Sequence, residues 1–300
     1  MFNGTGNRAV FLDVIMLRVL LFGLMMLLHH QVFAEPDFSI PPITPEMNAL
    51  YQVKQTDLTF EGKNYRLFIG EPKSTPVPSA VLYTTDGNAQ FPLAVNAVAA
   101  DKPLPLIVGI GYVSDKAYAL AERTRDYTFA AEGEEFAKGG GAADFLRFFT
   151  QRVKPYIAEK YALQQPQETF FGHSFGALFG LYVLLQQGDL FDNYCLASPS
   201  LWWGRGALLP TQKPWLQHSP QRILLTLGEY EAEPGKDPTM NPEQLAKIKM
   251  RREMMPLDAR GLAKELQAQG QAAEFLLIPQ KNHGGSIANA LQACMAIVQP

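Results

Sequence analysis

The pentapeptide Gly172-His-Ser-Phe-Gly176 constrains the fold of this chain more than any other feature. A short apolar run, residues 169–171, precedes it, and an apolar helical pattern over residues 177–185 follows it. A serine between two glycines at a sharp strand-to-helix turn is typical of a nucleophile elbow. Glycines are needed there because the helix packs closely and the backbone is strained. The alternative is a structural glycine-rich turn, but the flanking strand and helix patterns favour Ser174 as a nucleophile.

The composition indicates one large domain rather than several small ones. The chain has 300 residues, of which 47% are hydrophobic and 18% are charged. A chain of this length and composition can bury a large core. The formal net charge is −3, so nothing indicates that the protein binds nucleic acid.

The two cysteines, Cys195 and Cys294, do not form part of a metal-binding or redox motif. Neither belongs to a C-x-x-C pair, and no histidines cluster around them. This argues against a metal site and against a disulfide-rich scaffold. Because both lie in apolar sequence, we expect two buried free thiols, with a single bridge as the alternative.

The first 34 residues have the pattern of a cleaved secretory signal peptide. Arg18 precedes the apolar run 19–28, and a small residue, Ala34, ends the segment. The apolar run is short for a membrane span, so the mature protein is expected to have no stable span. An uncleaved anchor is the alternative. A true start of translation at Met16 would make the signal more compact. We therefore expect an exported protein.

Strand and helix patterns alternate in the second half of the chain, which predicts a mostly parallel sheet covered by helices on both faces. A proline-rich extended leader, residues 35–50, precedes a single α/β domain, residues 51–300. Residues 111–141 are expected to form a long connection with few core positions. The predicted strands are 51–60, 63–69, 80–83, 104–110, 194–197, 222–227 and 274–278, and the predicted helices are 91–100, 143–161, 241–269 and 286–298.

The general base for the serine is found by elimination among five histidines. A serine hydroxyl is a poor nucleophile without an adjacent base. His29 and His30 are removed with the signal peptide, His173 points away from its neighbour in the turn, and His218 lies in a proline-flanked linker. His283 follows the last predicted strand, where a base can reach the elbow. The alternative is an ordinary surface histidine.

The acid that orients the base should follow an earlier strand, which gives the chain order serine, acid, histidine. The segment after the strand 222–227 contains three candidates, Glu229, Glu231 and Glu233. All three could be solvated loop carboxylates, and a serine–histidine dyad is a further alternative.

A tetrahedral intermediate needs backbone N–H donors for its oxyanion. One donor is expected from Phe175, the residue after the serine. The other should lie in the turn after the third strand, which indicates the N–H of Asn88, with Gly111 and Tyr112 as the alternative.

Five segments occur in this order along the chain: Leu82–Phe91, Arg123–Thr128, Gly172–Gly176, Ser198–Trp203 and Asn282–Gly284. Together they resemble the esterase-D branch of the α/β-hydrolases, most closely the periplasmic enterobactin (enterochelin) esterases. The resemblance covers residues 51–300. It implies the α/β-hydrolase fold, a periplasmic location and cleavage of a catecholate trilactone. The position of Glu231, three residues after a glycine, also resembles that of the acid in this fold class.

Cationic and aromatic residues follow strands at the edge where ligands bind in α/β sheets. Arg123 and Arg125 lie after the fourth strand, which leads into Tyr112, and Trp202 and Trp203 follow the strand after the elbow. Guanidinium groups suit an anionic catecholate complex, and indoles suit its rings. The alternative is that the tryptophans are core and that the arginines pair with nearby acids, namely Glu122, Asp126 and Glu132.

The sequence thus predicts an exported serine esterase with a small-molecule ester substrate, either a ferric or a metal-free catecholate siderophore. No cofactor and no protein-bound metal are expected in the chemistry. One alternative is a general carboxylesterase or thioesterase, such as a relative of formylglutathione hydrolase, whose substrate is cytosolic. Another is a non-catalytic binding homologue, but this would be expected to lack the serine or the histidine.

Overall fold

The architecture comes from a computed structural model, which describes residues 40, 42–74 and 77–300. The predicted signal peptide, residues 1–34, lies outside the described residues. In the described part of the chain, no helix is both long and apolar enough to cross a membrane.

The prediction of an extended leader over residues 35–50 is wrong for residues 45–50. A short helix α1, Pro45–Leu50, ends this segment and buries Met47. The side chain of Thr44 accepts a hydrogen bond from the Met47 N–H, and Pro45 occupies the first helical position. Both features favour a helix start, because proline has a helix-compatible φ and needs no N–H there.

The predicted hairpin at the start of the domain is confirmed. Strands β1, Tyr51–Phe60, and β2, Lys63–Pro72, pair antiparallel along their full length. Glu61 and Gly62 join them with φ values of 47° and 75°. A two-residue turn with both φ values positive matches the right-handed twist of paired strands.

The remaining strands form the parallel sheet that the sequence predicted. The strand order among the described residues is β1-β2-β4-β3-β5-β6-β7-β8. β2 pairs antiparallel with β4, and every later neighbour is parallel. The carboxyl ends of the parallel strands therefore meet at one edge, where ligands bind in such sheets. These strands are β3 (Ala80–Thr84), β4 (Leu106–Tyr112), β5 (Gln167–His173), β6 (Asn193–Ala197), β7 (Arg222–Gly228) and β8 (Ala273–Ile278).

Helices cover both faces of the sheet, as expected, and each face has its own apolar core. One face is covered by α1 together with α2, Gly87–Asn96, and α10, Ile287–Val298. A turn of π-helix, Phe149–Val153, joins α4 to α5. The other α-helices of the described residues are α3 (Leu120–Tyr127), α4 (Ala142–Phe148), α5 (Lys154–Tyr161), α6 (Phe175–Gln186), α7 (Glu229–Ala232), α8 (Pro242–Glu253) and α9 (Ala259–Ala268).

The long connection predicted over residues 111–141 contains a helix that the sequence did not indicate. Helix α3 lies in this segment, and its residues Arg123, Asp126 and Tyr127 are buried. The Tyr127 ring packs 5.2 Å from the ring of Phe145 in α4. Hydrophobic periodicity missed the helix because its buried face includes two charged side chains, which are stabilised by pairing rather than by apolar contact.

The two cysteines form a disulfide, so the expectation of free thiols is wrong. Cys195 in β6 is bonded to Cys294 in α10 across 99 residues of sequence. Both lie in the apolar core that α2 and α10 cover. A strand residue that faces a covering helix can meet a helix residue far away in sequence, and spacing alone does not reveal this.

We predict that removing the disulfide lowers the free energy of unfolding. Replacing both Cys195 and Cys294 by Ala opens a loop of about 100 residues, which is expected to cost about 2–4 kcal/mol by freeing the unfolded chain. Urea unfolding with and without a reductant measures the effect, and the double variant serves as a control that should not respond to reductant. Equal unfolding midpoints for the oxidised and reduced protein would contradict the prediction.

Candidate active site

Ser174 lies on a strained turn between β5 and α6. Its φ and ψ are 60° and −117°, a conformation that non-glycine residues rarely adopt. Its N–H donates to the carbonyl of Ala197 in β6 at 3.0 Å. A Cβ atom on Gly172 would lie 2.3 Å from the Gly176 carbonyl oxygen, and one on Gly176 would lie 2.2 Å from Thr85 Oγ1. Both glycines are therefore required by close contact, which is the geometry of a nucleophile elbow.

Glu231 and His283 form a hydrogen-bonded pair beyond the ends of β7 and β8. His283 Nδ1 lies 2.5 Å from Glu231 Oε2. The other carboxylate oxygen, Oε1, accepts from Ser198 Oγ at 2.6 Å and from the Gly228 N–H at 3.0 Å. With Nδ1 donating to the carboxylate, Nε2 of His283 is the ring nitrogen that can accept a proton from a serine.

The Glu231 carboxyl group is held in its ionised form. Burial alone would raise its pKa. The neighbouring His283 ring and the hydrogen bonds from His283 and Ser198 outweigh this effect and lower the pKa to about 2. Only 15% of the Glu231 side chain is exposed, whereas 49% of the His283 side chain is exposed. The pair therefore combines a shielded anion with an imidazole that solvent and substrate can reach.

The two other candidate acids have different partners. Glu229 Oε2 accepts from the N–H of Gln280 at 2.8 Å. Glu233 pairs with Lys236 at 2.8 Å. Of the three carboxylates predicted after β7, Glu231 is the one whose contact with His283 the structure records.

His173 links the elbow to the histidine loop. Its ring centroid lies 4.4 Å from that of His283, and its Nε2 lies 2.9 Å from the His283 carbonyl oxygen. Burial lowers the pKa of His173 well below its ordinary value, so its neutral ring donates through Nε2–H to that carbonyl. Because His173 directly precedes Ser174, this contact brings Ser174 and His283 to the same edge of the sheet.

The Ser174 hydroxyl contacts another serine. Its Oγ lies 3.1 Å from Ser200 Oγ, and the Ser200 N–H donates to the Ser174 carbonyl at 3.2 Å. Within the described part of the chain, the Ser174 hydroxyl therefore hydrogen-bonds to Ser200 and not to His283. Hydrogen bonds to catalytic groups often tighten only when substrate is in place.

The two expected oxyanion donors both begin helices. Phe175 opens α6, where the first N–H groups have no partner within the helix. Asn88 lies in the first turn of α2, and its side chain joins this turn to β4. Its Oδ1 accepts from the Tyr112 N–H at 2.8 Å, and its Nδ2 donates to the carbonyls of Tyr112 and Ser114. The Tyr112 N–H already donates to Asn88, so it is a less favourable oxyanion donor than the Asn88 N–H.

Arg123 is committed to an internal ion pair, contrary to the prediction that it faces a substrate. Its Nε and Nη2 donate to the two Asp86 carboxylate oxygens at 2.8 and 3.0 Å. Asp86 has a positive φ of 51° at the end of β3, and its N–H donates to the Tyr127 hydroxyl. The guanidinium also lies 5.4 Å from the Phe175 ring centroid. Arg123 thus braces the turn before α2 against the elbow.

Three further residues predicted to bind substrate have structural contacts instead. Arg125 pairs with Asp126 at 2.7 Å, the alternative that the sequence left open. The Tyr112 side chain is buried and packs against neighbouring tyrosine rings at 5.8 and 6.1 Å. Trp203 is 2% exposed and donates through Nε1–H to the Phe129 carbonyl. The sequence places these aromatic residues near the ends of strands, but it does not show which side chains point into the core.

Trp202 remains at the surface of the site, beside residues that the sequence did not identify. Its half-buried ring lies 5.7 Å from the Phe175 ring and 4.5 Å from the Arg251 guanidinium carbon. Arg252 donates to the carbonyls of Glu231 and Ala232. Both arginines belong to α8, whose charged sequence indicates only a solvated helix.

Ser198 and Ser200 were also missed as members of the site. They contact Glu231 and Ser174, respectively. The available signal was the Ser-Pro-Ser segment directly after β6, at the carboxyl edge of the sheet.

Comparison with known proteins places this geometry in a family. A family model described as "Putative esterase" matches residues 62–266. The chain is 32% identical over 204 residues to the ferri-bacillibactin esterase BesA of Bacillus subtilis, covering 60% of this chain and 70% of that protein. It is 31% identical over 196 residues to the apo-salmochelin esterase of Escherichia coli O6:H1, covering 60% of this chain and 61% of that protein.

Solved structures show the same architecture. The siderophore hydrolase EstA from Aspergillus nidulans matches with a TM-score of 0.73 and 24% identity, over 86% of this chain and 97% of that one. The enterobactin hydrolase IroE in complex with DFP matches with a TM-score of 0.62 and 28% identity, over 82% of this chain and 96% of that one. The chain has the α/β-hydrolase fold and belongs to the Esterase family of carboxylic ester hydrolases.

Proposed function

We propose that the protein is an exported serine esterase that hydrolyses the ester bonds of a catecholate siderophore. The observation that carries the proposal is the Glu231–His283 pair, which lies beside the strained elbow of Ser174. A nucleophile, a base and an orienting acid at one edge of the sheet are the groups that acyl transfer requires.

In the proposed acylation step, Ser174 Oγ attacks the ester carbonyl carbon while His283 Nε2 takes the hydroxyl proton. The C–O double bond becomes an oxyanion, which the N–H groups of Phe175 and Asn88 stabilise. Collapse of this intermediate breaks the bond to the leaving alkoxide, which receives the proton from His283. The products of this step are the free alcohol and an acyl ester on Ser174.

In the proposed deacylation step, water replaces the serine as the nucleophile. His283 removes one proton from the water as it attacks the acyl-enzyme, and the same proton returns to Ser174 Oγ as the acid leaves. Glu231 stays ionised throughout, because its pKa of about 2 is far below neutral pH. Its negative charge stabilises the imidazolium that forms in both steps.

The siderophore substrate is supported by the names of several relatives. Matching proteins are described as a ferri-bacillibactin esterase, an apo-salmochelin esterase and a siderophore enterobactin esterase. The surface indole of Trp202 beside Phe175 also suits an aromatic catecholate ring. A general carboxylesterase or thioesterase remains the competing proposal, because the elbow and the Glu231–His283 pair suit any acyl ester.

We predict that Ser174→Ala abolishes hydrolysis while Ser200→Ala retains most of it. Loss of the nucleophile is expected to lower kcat by at least about a thousandfold, whereas loss of the neighbouring hydroxyl is expected to cost less than about tenfold. Both are measured on p-nitrophenyl acetate, with thermal unfolding as the control for folding. An active Ser174→Ala variant would refute the serine mechanism.

The same two variants and the wild type are then compared on ferric and metal-free enterobactin, with products identified by mass spectrometry. We expect linear esters and monomers from the wild type and from Ser200→Ala, and intact trilactone with Ser174→Ala. The trilactone could stay intact after long incubation with a wild-type protein that cleaves p-nitrophenyl acetate. That result would support esterase activity and exclude the siderophore substrate.

We predict that Glu231→Gln lowers kcat by roughly a hundredfold or more, because the amide holds no charge opposite the imidazolium. The lowered pKa of Glu231 also links stability to pH. Its ionised form stabilises the fold above the ordinary value of 4.5, and this stabilisation is lost as the pH falls toward about 2.

Urea unfolding between pH 7 and pH 2.5 and initial rates at neutral pH test these effects together. The wild type is expected to lose more stability on acidification than Glu231→Gln, because only the wild type has the Glu231 carboxylate to protonate. Parallel stability curves for the two proteins would show that the Glu231 carboxylate is not held in its ionised form by the fold.

Export rests on the pattern of residues 1–34 and is supported by the Cys195–Cys294 disulfide. Disulfides persist mainly in oxidising compartments such as the bacterial periplasm. We expect the protein recovered from a periplasmic extract to begin at Glu35, as read by amino-terminal sequencing. A protein confined to the cytosolic fraction with its first residues intact would contradict export.

A further inference from the structure

We infer that Arg251 and Trp202 form a subsite for an anionic aromatic group of the substrate, so that the enzyme favours the metal-loaded catecholate siderophore over the metal-free one. This inference rests on the proposed function. It adds Arg251 to the site. It also adds a preference for the metal-loaded substrate, which the geometry of Ser174, His283 and Glu231 does not supply.

The subsite adjoins the nucleophile through a short segment of chain. The Ser200 N–H donates to the Ser174 carbonyl at 3.2 Å. Trp202 follows two residues later, and its ring lies 5.7 Å from that of Phe175, the residue after the nucleophile. The indole is therefore close enough to contact a substrate whose ester carbonyl is at Ser174.

Arg251 is a cation without a carboxylate partner among the residues that the structure describes. Its recorded interaction there is with Trp202, whose ring centroid lies 4.5 Å from the guanidinium carbon. The other arginines near the site are committed, Arg123 to Asp86 and Arg252 to two backbone carbonyls. Among the described residues, Arg251 is thus a positive charge near the elbow that no carboxylate pairs with.

The surroundings of Arg251 increase its attraction for an anion. Its side chain is half-buried, and burial lowers its pKa, with no acid among the described residues to offset the shift. Charges that are partly removed from water interact more strongly than solvated ones. An anion placed against this guanidinium therefore replaces lost hydration and gains a charge-assisted contact.

The combination of a guanidinium and an indole discriminates between two forms of one substrate. A ferric tris-catecholate carries a net negative charge, whereas metal-free catechols are neutral at neutral pH. The indole can stack on the aromatic ring of either form, but the guanidinium gains charge pairing only with the metal complex. Removing the charge of Arg251 should therefore affect mainly the ferric substrate.

A purely structural role for Arg251 makes a different prediction. Helix α8 buries none of its residues, so contacts such as that of Arg251 with Trp202 hold it against the domain. If Arg251 only anchors α8, its loss should disturb Glu231 through Arg252 and lower activity on all esters equally. Lys249, an exposed residue of the same helix, provides a matched control for the loss of one positive charge.

The experiment compares wild type, Arg251→Met and Lys249→Met on ferric and metal-free enterobactin and on p-nitrophenyl acetate. For Arg251→Met we expect kcat/KM to fall about tenfold on the ferric form and less than about twofold on the other two esters. Lys249→Met should match the wild type. Equal losses of Arg251→Met on all three esters, or no loss on the ferric form, would overturn the inference.

A second measurement separates this inference from the proposed function. Gallium tris-catecholate, made from simple catechol, is tested as a competitive inhibitor of p-nitrophenyl acetate hydrolysis, with uncharged catechol as the comparison. Arg251→Met should raise the inhibition constant of the gallium complex about tenfold and leave that of catechol unchanged. An unchanged constant for the complex refutes the subsite, whether or not the enzyme cleaves a trilactone. A wild type that cleaves no trilactone refutes the proposed substrate alone.

Discussion

The strained backbone of Ser174 is the constraint on which the rest of the site depends. A positive φ at a non-glycine residue persists only where surrounding contacts enforce it. Here β5 leads directly into α6, the Ser174 N–H is held by Ala197, and Gly176 packs against Thr85. These contacts come from three neighbouring strands or their ends, so the position of the hydroxyl is set by the sheet rather than by a flexible loop.

Two ion pairs of different kinds lie on either side of this turn. Arg123 and Asp86 are both buried and bidentate, and they brace the start of α2 against Phe175. A buried pair of this kind costs desolvation and contributes geometry rather than large net stability. Glu231 and His283 differ because the carboxylate is shielded and the imidazole is exposed. The Arg123–Asp86 pair therefore fixes the backbone at the start of α2, and the Glu231–His283 pair supports proton transfer.

The sequence predicted the parts of the fold that local patterns encode. The hairpin at Glu61 and Gly62, the parallel strands and the elbow all follow from turn residues and hydrophobic periodicity. Helix α3 was missed because its buried face carries Arg123 and Asp126, which no hydrophobic pattern reports. Arg251 was missed for a related reason, since an arginine on a charged helix looks solvated until the helix is docked.

The sequence by itself determined the fold class, the elbow around Ser174 and the chain order in which a serine, a glutamate and a histidine follow β5, β7 and β8. These features depend on residues near one another in the chain, so their patterns survive without coordinates. Only the tertiary structure decided which glutamate meets His283, that Cys195 bonds Cys294, and which arginine packs on Trp202 with no carboxylate partner in the described part of the chain. Each of those outcomes joins residues distant in sequence, and their pairing is settled by how helices and loops pack at one edge of the sheet.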